Sequence, residues 1–416
     1  MTHFRLSKAL TLVVACVLGL AFTASTASAM PAFARKEHMK CSTCHTVWPL
    51  LNAFGRTYKE NGYQVTRGRP SNHTKISDAL TLPKVLPLAL VINSRPYDRK
   101  KNGQTKIRAL HELELLAGGN YAGWGSFFAE LSSEDEGDFT TEIESAVAGL
   151  HLNQYVNVVL GKSRPFFADP YNILHEARKF TRANSALITA AGNSGVDIGS
   201  TIQNVEVYGR AGKVFYMAGI GADTGDPEGS GADNFAASVV ADVLPTQLSI
   251  GAFVYNGRQR MTTDLNPVSA PGTPILQPNP ALMIGSNVDF SRYGITLQGQ
   301  IGDLNYQAAG MKANEDLVNA STGMVSGDET NYLYQGEVFY KLHCDSMKDA
   351  PIPVIDLVPF ARIENSDNFG ASGSATNMVL NLTALHTENF RSSLEWAQTL
   401  KGPDDNRVTF YLVFGI

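Results

Sequence analysis

The sequence predicts a mostly β fold, in which sixteen antiparallel strands close into a barrel behind a small helical segment. Three observations predict it. Beyond Leu80 the chain runs in stretches of about ten residues that alternate apolar and polar positions. The connections between those stretches are short and long in turn. The chain also opens with an export signature: basic Arg5 and Lys8, an apolar run from Ala9 to Phe22, then Ala27-Ser28-Ala29.

That opening makes residues 1–29 a signal peptide with a short h-region, too short to cross a bilayer as a helix. No later segment is apolar enough to do so either. Cys16 falls inside the apolar run, upstream of the better cleavage site, which argues against lipidation.

The 34 basic and 39 acidic residues become a net of −7 once the two basic residues of the signal are gone. Residues 30–78 carry eight basic and three acidic residues, a net of +5, which leaves −12 for residues 79–416. A basic head on an acidic body suggests two parts with different tasks and mutual attraction. The basic stretch is short and matches no binding motif, so nucleic acid is excluded as a partner.

Within the head, apolar residues at 47, 50, 51, 54 and 58 have helical spacing, and Gly62 stands where a helix ends. Residues 66–78, with Gly68 and Pro70, read as a linker.

Strands are expected near 86, 107, 121, 142, 154, 201, 213, 233, 247, 293, 305, 331, 353, 376, 389 and 407. Short turns are expected at 118–120, 152–153, 210–212, 244–246, 302–304 and 386–388. Residues 342–352 take a short-turn place but are longer. Long loops are expected at 96–106, 132–141, 164–200, 223–232, 257–292, 314–330, 364–375 and 399–406. In the last strand Val408, Phe410, Leu412, Phe414 and Ile416 share one face, and Arg407, Thr409, Tyr411 and Val413 the other. One face suits lipid and the other a polar lumen, so the fold class is an all-β, 16-stranded antiparallel outer-membrane β-barrel (porin-like). A water-soluble β-sandwich shares the alternation but not the turn pattern or the export signal.

Chemistry concentrates in Cys41-Ser42-Thr43-Cys44-His45. C-x-x-C-H is the pattern of covalent haem attachment, in which two thiols add to the haem vinyl groups and the following histidine ligates the iron. A thioredoxin-type pair would need a βαβ setting, and a zinc site a second ligand pair. Neither is present. One covalently attached haem c is therefore expected, in a small α-helical c-type haem domain at 30–78 followed by the barrel at 79–416. The second iron ligand stays open among Met39, His38, His73, His111, His151 and His175, with Met39 placed first because it stands just before the motif.

Of three cysteines left in the mature chain two would be used, and Cys344 reads as a loop thiol. There is no G-x-G-x-x-G, P-loop or nucleophile elbow, since Gly219-Ile220-Gly221 has the wrong spacing, so dehydrogenase and hydrolase functions are excluded.

Phe33-Ala34-Arg35, Met39-Lys40-Cys41-Ser42-Thr43-Cys44-His45, Pro49-Leu50-Leu51-Asn52-Ala53-Phe54-Gly55-Arg56 and Asn61-Gly62-Tyr63 resemble the haem segment of the fused outer-membrane monohaem cytochrome-porins of iron-oxidising bacteria. The resemblance in motif covers residues 33–63; the rest agrees in architecture.

It implies a ferrous iron oxidase, an iron:cytochrome c oxidoreductase-like chain in the bacterial outer membrane. Extracellular Fe(II) would be the donor and a periplasmic cytochrome or other soluble electron carrier the acceptor. Cys41, Cys44 and His45 take the haem-binding roles and Met39 the family's methionine before the motif. The final Ile416 departs from the phenylalanine usual at the end of outer-membrane proteins.

A segment this small would be stabilised within or at the periplasmic mouth of the barrel. Asp169, His175 and Glu176, in one long loop, are candidate iron ligands. The alternatives are a solute porin with a cytochrome plug, a conduit for a different extracellular donor or acceptor, and a free periplasmic cytochrome.

Overall fold

The computed structural model describes residues 31–69, 72–77, 81–101, 103–171, 174, 181–182, 185–188, 198–223, 231–260, 287–318, 325–367, 374–402 and 406–416. The expected signal peptide lies outside these residues. Sixteen strands form a closed antiparallel barrel. They are β1 (Leu88–Lys100), β2 (Thr105–Ala122), β3 (Gly125–Glu134), β4 (Thr141–His151), β5 (Asn157–Ser163), β6 (Ile202–Ala211), β7 (Val214–Gly221) and β8 (Asn234–Leu244), followed by β9 (Leu248–Arg260), β10 (Asn287–Ile301), β11 (Leu304–Val318), β12 (Val325–Tyr340), β13 (Asp356–Ser366), β14 (Ala375–Thr387), β15 (Phe390–Lys401) and β16 (Arg407–Gly415).

The ring closes between β16 and β1, in a ladder from Arg407 opposite Lys100 to Gly415 opposite Val91. Every expected strand is found. The last shows the expected two faces: Thr409, Tyr411 and Val413 are buried inward, while Val408 is exposed and Ile416 follows it outward.

The connections differ in detail. Gly118-Gly119-Asn120 is not a turn but part of β2, paired with Phe128, Phe127 and Ser126, and the chain reverses at residues 123–124. Nor is 96–106 a long loop: β1 runs to Lys100, and residues 101–104 make the reversal. In general the expected loops begin too early, because the ladder continues after the outward face turns polar. On β12 exposed Asp328 and Thr330 stand beyond Tyr332 while still paired with β11.

Apolar side chains such as Val205, Val207, Val239, Ile250, Ile295 and Leu382 are exposed on the outer wall. Aromatic residues mark both borders of that belt. At the short-turn end Tyr121 packs edge-on against Trp124, and the Tyr216 hydroxyl donates to the Tyr155 carbonyl at 2.7 Å. Towards the other end Lys312 lies over Tyr293 and Tyr332 at 5.7 and 5.9 Å. An apolar belt between two aromatic rows is what a lipid phase requires of a barrel. No helix among the described residues is long and apolar enough to cross a membrane, which does not bear on spanning by strands.

The lumen is less polar than the alternation predicts. Tyr208, Phe215, Phe253, Tyr255, Phe290, Met311 and Leu333 point inward and form one core with Phe166, Phe167, Leu174 and Leu187 of the 164–201 connection. That connection therefore folds into the barrel. Wall carboxylates receive its backbone amides: Glu206 accepts from Phe167 and Ala168 at 3.1 and 2.7 Å, Glu395 from Arg182 at 2.7 Å, and Glu364 from Ala186 at 3.0 Å. Such charge-assisted bonds are among the stronger ones.

A charge placed on the outer belt tests this arrangement. Val239→Arg, midway along β8, is expected to destabilise the lipid-folded barrel by roughly 2 to 4 kcal/mol. Urea titration in bilayers of short-chain lipid measures it, and an unchanged midpoint would argue against lipid contact at that position.

Candidate functional site

Residues 31–77 enter the lumen at its short-turn end. Three short helices organise them: α1 (Pro31–Glu37), α2 (Cys41–Cys44) and α3 (Ala53–Glu60). The expected helix from 47 to 58 begins only at Ala53, because Pro49 interrupts it. Residues 45–47 pair instead with 50–51, and Asn52 caps α3 by accepting from the Gly55 amide at 3.0 Å. The expected linker also holds structure, since residues 73–75 form a ladder with 81–83.

The wall grips this segment through both backbone and side chains. Arg391 donates to the Trp48 carbonyl at 2.8 Å and lies over the Trp48 ring at 4.8 Å. Gln64 donates to the Gly123 carbonyl at 3.1 Å, and Arg67 to the Asn153 carbonyl at 2.8 Å. Glu60 pairs with Arg210 at 2.6 Å. Here the segment brings the carboxylate and the wall the cation, the reverse of the polarity that their net charges suggest. Phe33, Tyr58 and Tyr63 pack together and reach Phe128 on β3.

Two glycines make the fit possible. A Cβ on Gly55 would stand 2.1 Å from the Cys44 carbonyl oxygen, so only glycine lets α3 lie on the α2 turn. Gly62 has φ +70, and a Cβ there would meet the His151 ring at 2.2 Å.

The turn of α2 brings Cys41 and Cys44 to the rim of a cavity of about 380 Å³. Phe33, Met39, Leu51, Tyr58 and Tyr63 line it from the segment, and Val91, Leu116, Phe128 and Val413 from the wall. The Cys41 amide donates to Glu388 at 2.5 Å, which ties the turn to the β14–β15 reversal. Burial and then the charge of Glu37 push the Cys44 thiol up to about 11.

His45 lines the same cavity, with Nδ1 3.1 Å from the Pro49 carbonyl oxygen. A carbonyl only accepts, so Nδ1 carries the hydrogen and Nε2 keeps its lone pair. Burial lowers the pKa of His45 to about 4, and the ring is neutral at pH 7. A neutral imidazole with one nitrogen held by a carbonyl is the form that ligates a metal. The donor set, the adjacent thiols and the aromatic walls together fit a covalently held haem.

Of the other residues considered for the second iron position, Met39 lines this cavity. His38 is exposed. His73 bonds the Asn120 carbonyl at 2.8 Å, His111 bonds Asp135 at 2.8 Å, and His151 is held by Ser126 and Tyr208 at 2.7 and 3.0 Å. His175 lies outside the described residues, as does Glu176. Asp169 is buried, accepts from the Tyr171 amide at 2.8 Å and from Ser238 at 3.3 Å, and its carbonyl accepts from Lys59 at 3.0 Å. It anchors the inward loop to the segment and does not form an exposed iron site.

The carboxylates on the cavity wall, Glu112, Glu114, Glu130, Glu134 and Glu144, were missed from sequence. Their signal was present as acidic residues at inward positions of β2 to β4.

No protein-family profile and no curated protein sequence matches the chain. Solved structures do match in fold. OmpT, an outer-membrane protein of Vibrio cholerae, aligns with a TM-score of 0.54 at 14% identity, over 83% of this chain and 100% of its own. OmpF of Salmonella typhi, in complex with daunomycin, gives 0.53 at 12% identity over 79% and 97%. An anion-selective porin from Comamonas acidovorans gives 0.52 at 12% identity over 79% and 98%. At these identities the likeness is one of fold, that of a porin-like outer-membrane barrel.

Two measurements test the site. In the haem-free chain, a thiol at about 11 instead of 9 carries roughly 100-fold less thiolate at pH 8. Alkylation of Cys44 is therefore expected to be slower by about that factor in the folded chain than in denaturant. Gly62→Ala is expected to loosen the segment by about 1 to 3 kcal/mol through backbone strain, seen as faster proteolysis within residues 31–77 while the barrel stays intact.

Proposed function

We propose that the chain is an outer-membrane electron-transfer cytochrome. One haem c is attached to Cys41 and Cys44 and ligated by His45, with Met39 as its second ligand. The chain would take one electron from each extracellular Fe(II) and pass it to a periplasmic cytochrome or other soluble carrier. The observation that carries this reading is the cavity, where the C-x-x-C-H turn, a neutral histidine oriented by a backbone carbonyl and an aromatic lining meet inside a filled lumen.

When bound, the haem supplies a one-electron iron couple. The residues of the chain do the rest. Cys41 and Cys44 would hold it covalently, and the carbonyl of Pro49 orients His45. Phe33, Tyr58, Tyr63 and Phe128, packed together on the cavity wall, would keep water from it. The apolar belt, its aromatic borders and the porin-like fold support a place in the bacterial outer membrane. Short turns face the periplasm in such barrels, which would put residues 31–77 at the periplasmic mouth.

The second reading is a solute porin with a cytochrome plug. The fold likeness favours it, one neighbour being named an anion-selective porin. Against it stands the filling of the lumen from both ends, by the segment and by the inward loop.

Anoxic addition of Fe(II) to the oxidised, haem-loaded chain in lipid separates the two. Electron transfer is expected to bring up reduced haem bands rapidly, with low bilayer conductance, and Cys41→Ala/Cys44→Ala to abolish the bands without opening the pore. High conductance in both forms, with no reduction by Fe(II), would establish the porin.

A further inference from the structure

We propose that Arg95 and Arg182 bind a small tetrahedral oxyanion, inorganic phosphate or sulfate, inside the barrel and apart from the cavity that the Cys41–His45 turn lines. The strand register creates the demand for it. Arg95 on β1 lies directly opposite Arg108 on β2, and both are buried, at 6% and 7% exposure. Like charges so placed destabilise the ladder.

The two arginines differ in what they meet. Arg108 is engaged: its Nε donates to Asp135 at 2.7 Å and its Nη2 pairs with Glu136 at 2.5 Å. Arg95 makes no hydrogen bond and no ion pair among the described residues. The charged groups that act on it are Arg182, Glu112, Arg108 and Glu136. Glu136 is taken by Arg108, and Glu112 accepts from the Asn93 amide at 3.2 Å; neither pairs with Arg95. A guanidinium has five N–H donors and cannot shed its charge. Burying one without an acceptor is costly and rare.

The neighbouring carboxylate has nothing to spare. Asp98, itself buried, accepts from the Thr409 hydroxyl at 3.0 Å and lies 3.2 Å from Arg182, 3.8 Å from Arg108 and 3.9 Å from Arg407. One carboxylate thus serves three guanidiniums. The Nε atoms of Arg182 and Arg407 are buried without a hydrogen-bond partner among the described residues. Arg182 is brought to β1 by the inward loop, whose amide at that position is held by Glu395 at 2.7 Å.

A guanidinium more than nine-tenths buried, with no acceptor, therefore stands by a second guanidinium with an unmet donor. Both observations point to the same missing partner. A carboxylate has two oxygens, which one guanidinium fork uses up, whereas a tetrahedral oxyanion can take both forks at once. Asp135 and Glu136 belong to the connection after β3, which sets the cluster towards the long-loop end, opposite residues 31–77. Neither Arg95 nor Arg182 lines the cavity of the Cys41–His45 turn. The site needs no haem and stands independently of the function proposed above.

Equilibrium dialysis of the full chain in detergent against labelled inorganic phosphate tests the site. One phosphate per chain is expected, displaced by sulfate and not by the same concentration of chloride. Arg95→Gln and Arg182→Gln are each expected to weaken binding by about tenfold or more, and Arg258→Gln, at an exposed ion pair on β9, to leave it unchanged. If Arg95→Gln does not fold, Arg182→Gln carries the test, because that residue lies in a connection outside the barrel ladder. Sulfate that fails to displace phosphate upholds the site and narrows its ligand to phosphate. No stoichiometric binding, displacement by chloride, or equal affinity in the natural chain and the folded Arg95 and Arg182 variants overturns the site and leaves these donors to water. Reduction of the haem by Fe(II) can succeed or fail in either case.

Discussion

The ladder between β16 and β1 is the constraint on which the rest depends. Once the first and last strands pair, the sheet has no edge, and every strand donates and accepts on both sides. Closure also creates an interior that must be filled or left to water. Here the chain fills it with its own segments: residues 31–77 from the short-turn end and the connection after β5 from the other side. The inward aromatic residues of β6 to β10, with Met311 and Leu333, match that filling and would be out of place in an open aqueous channel.

Much of this was readable in the sequence, because a barrel strand announces itself through alternation, and sixteen such runs leave little freedom. The strand count, the two faces of β16 and the order of short and long connections follow from single side chains such as Val408 against Thr409. The ends of strands were not readable in the same way. A ladder is made by the backbone, so it continues past Tyr332 to Asp328 after the outer face has ceased to be apolar.

The site was half readable. Cys41, Cys44 and His45 stand out because a five-residue spacing encodes a local turn. The glutamates opposite them come from three strands and meet only through register and one bulge, which no local pattern reports. Asp169 misled for the complementary reason: a polar residue in a long connection looks exposed until the connection is known to fold inward, where Tyr171, Ser238 and Lys59 use its oxygens. Pro49 likewise outweighs a helical spacing that is otherwise good, and moves the start of α3 to Ala53.

The length of the strands has a consequence for what can reach the interior. In β12 the aromatic rows at Tyr340 and Tyr332 are eight positions apart, roughly 27 Å along the strand, close to the thickness of an outer-membrane belt. The strand nevertheless continues to Val325, and its neighbour β11 to Val318. On the β11–β12 side the wall therefore stands out from the lipid as a partial collar, while β5 and β7 stop at Ser163 and Gly221. A large particle resting on the rim of such a collar is held away from the base by the height of the wall. Such a particle meets the upper residues of β11 and β12 first, and not the groups of a lumen that the chain has filled with its own segments.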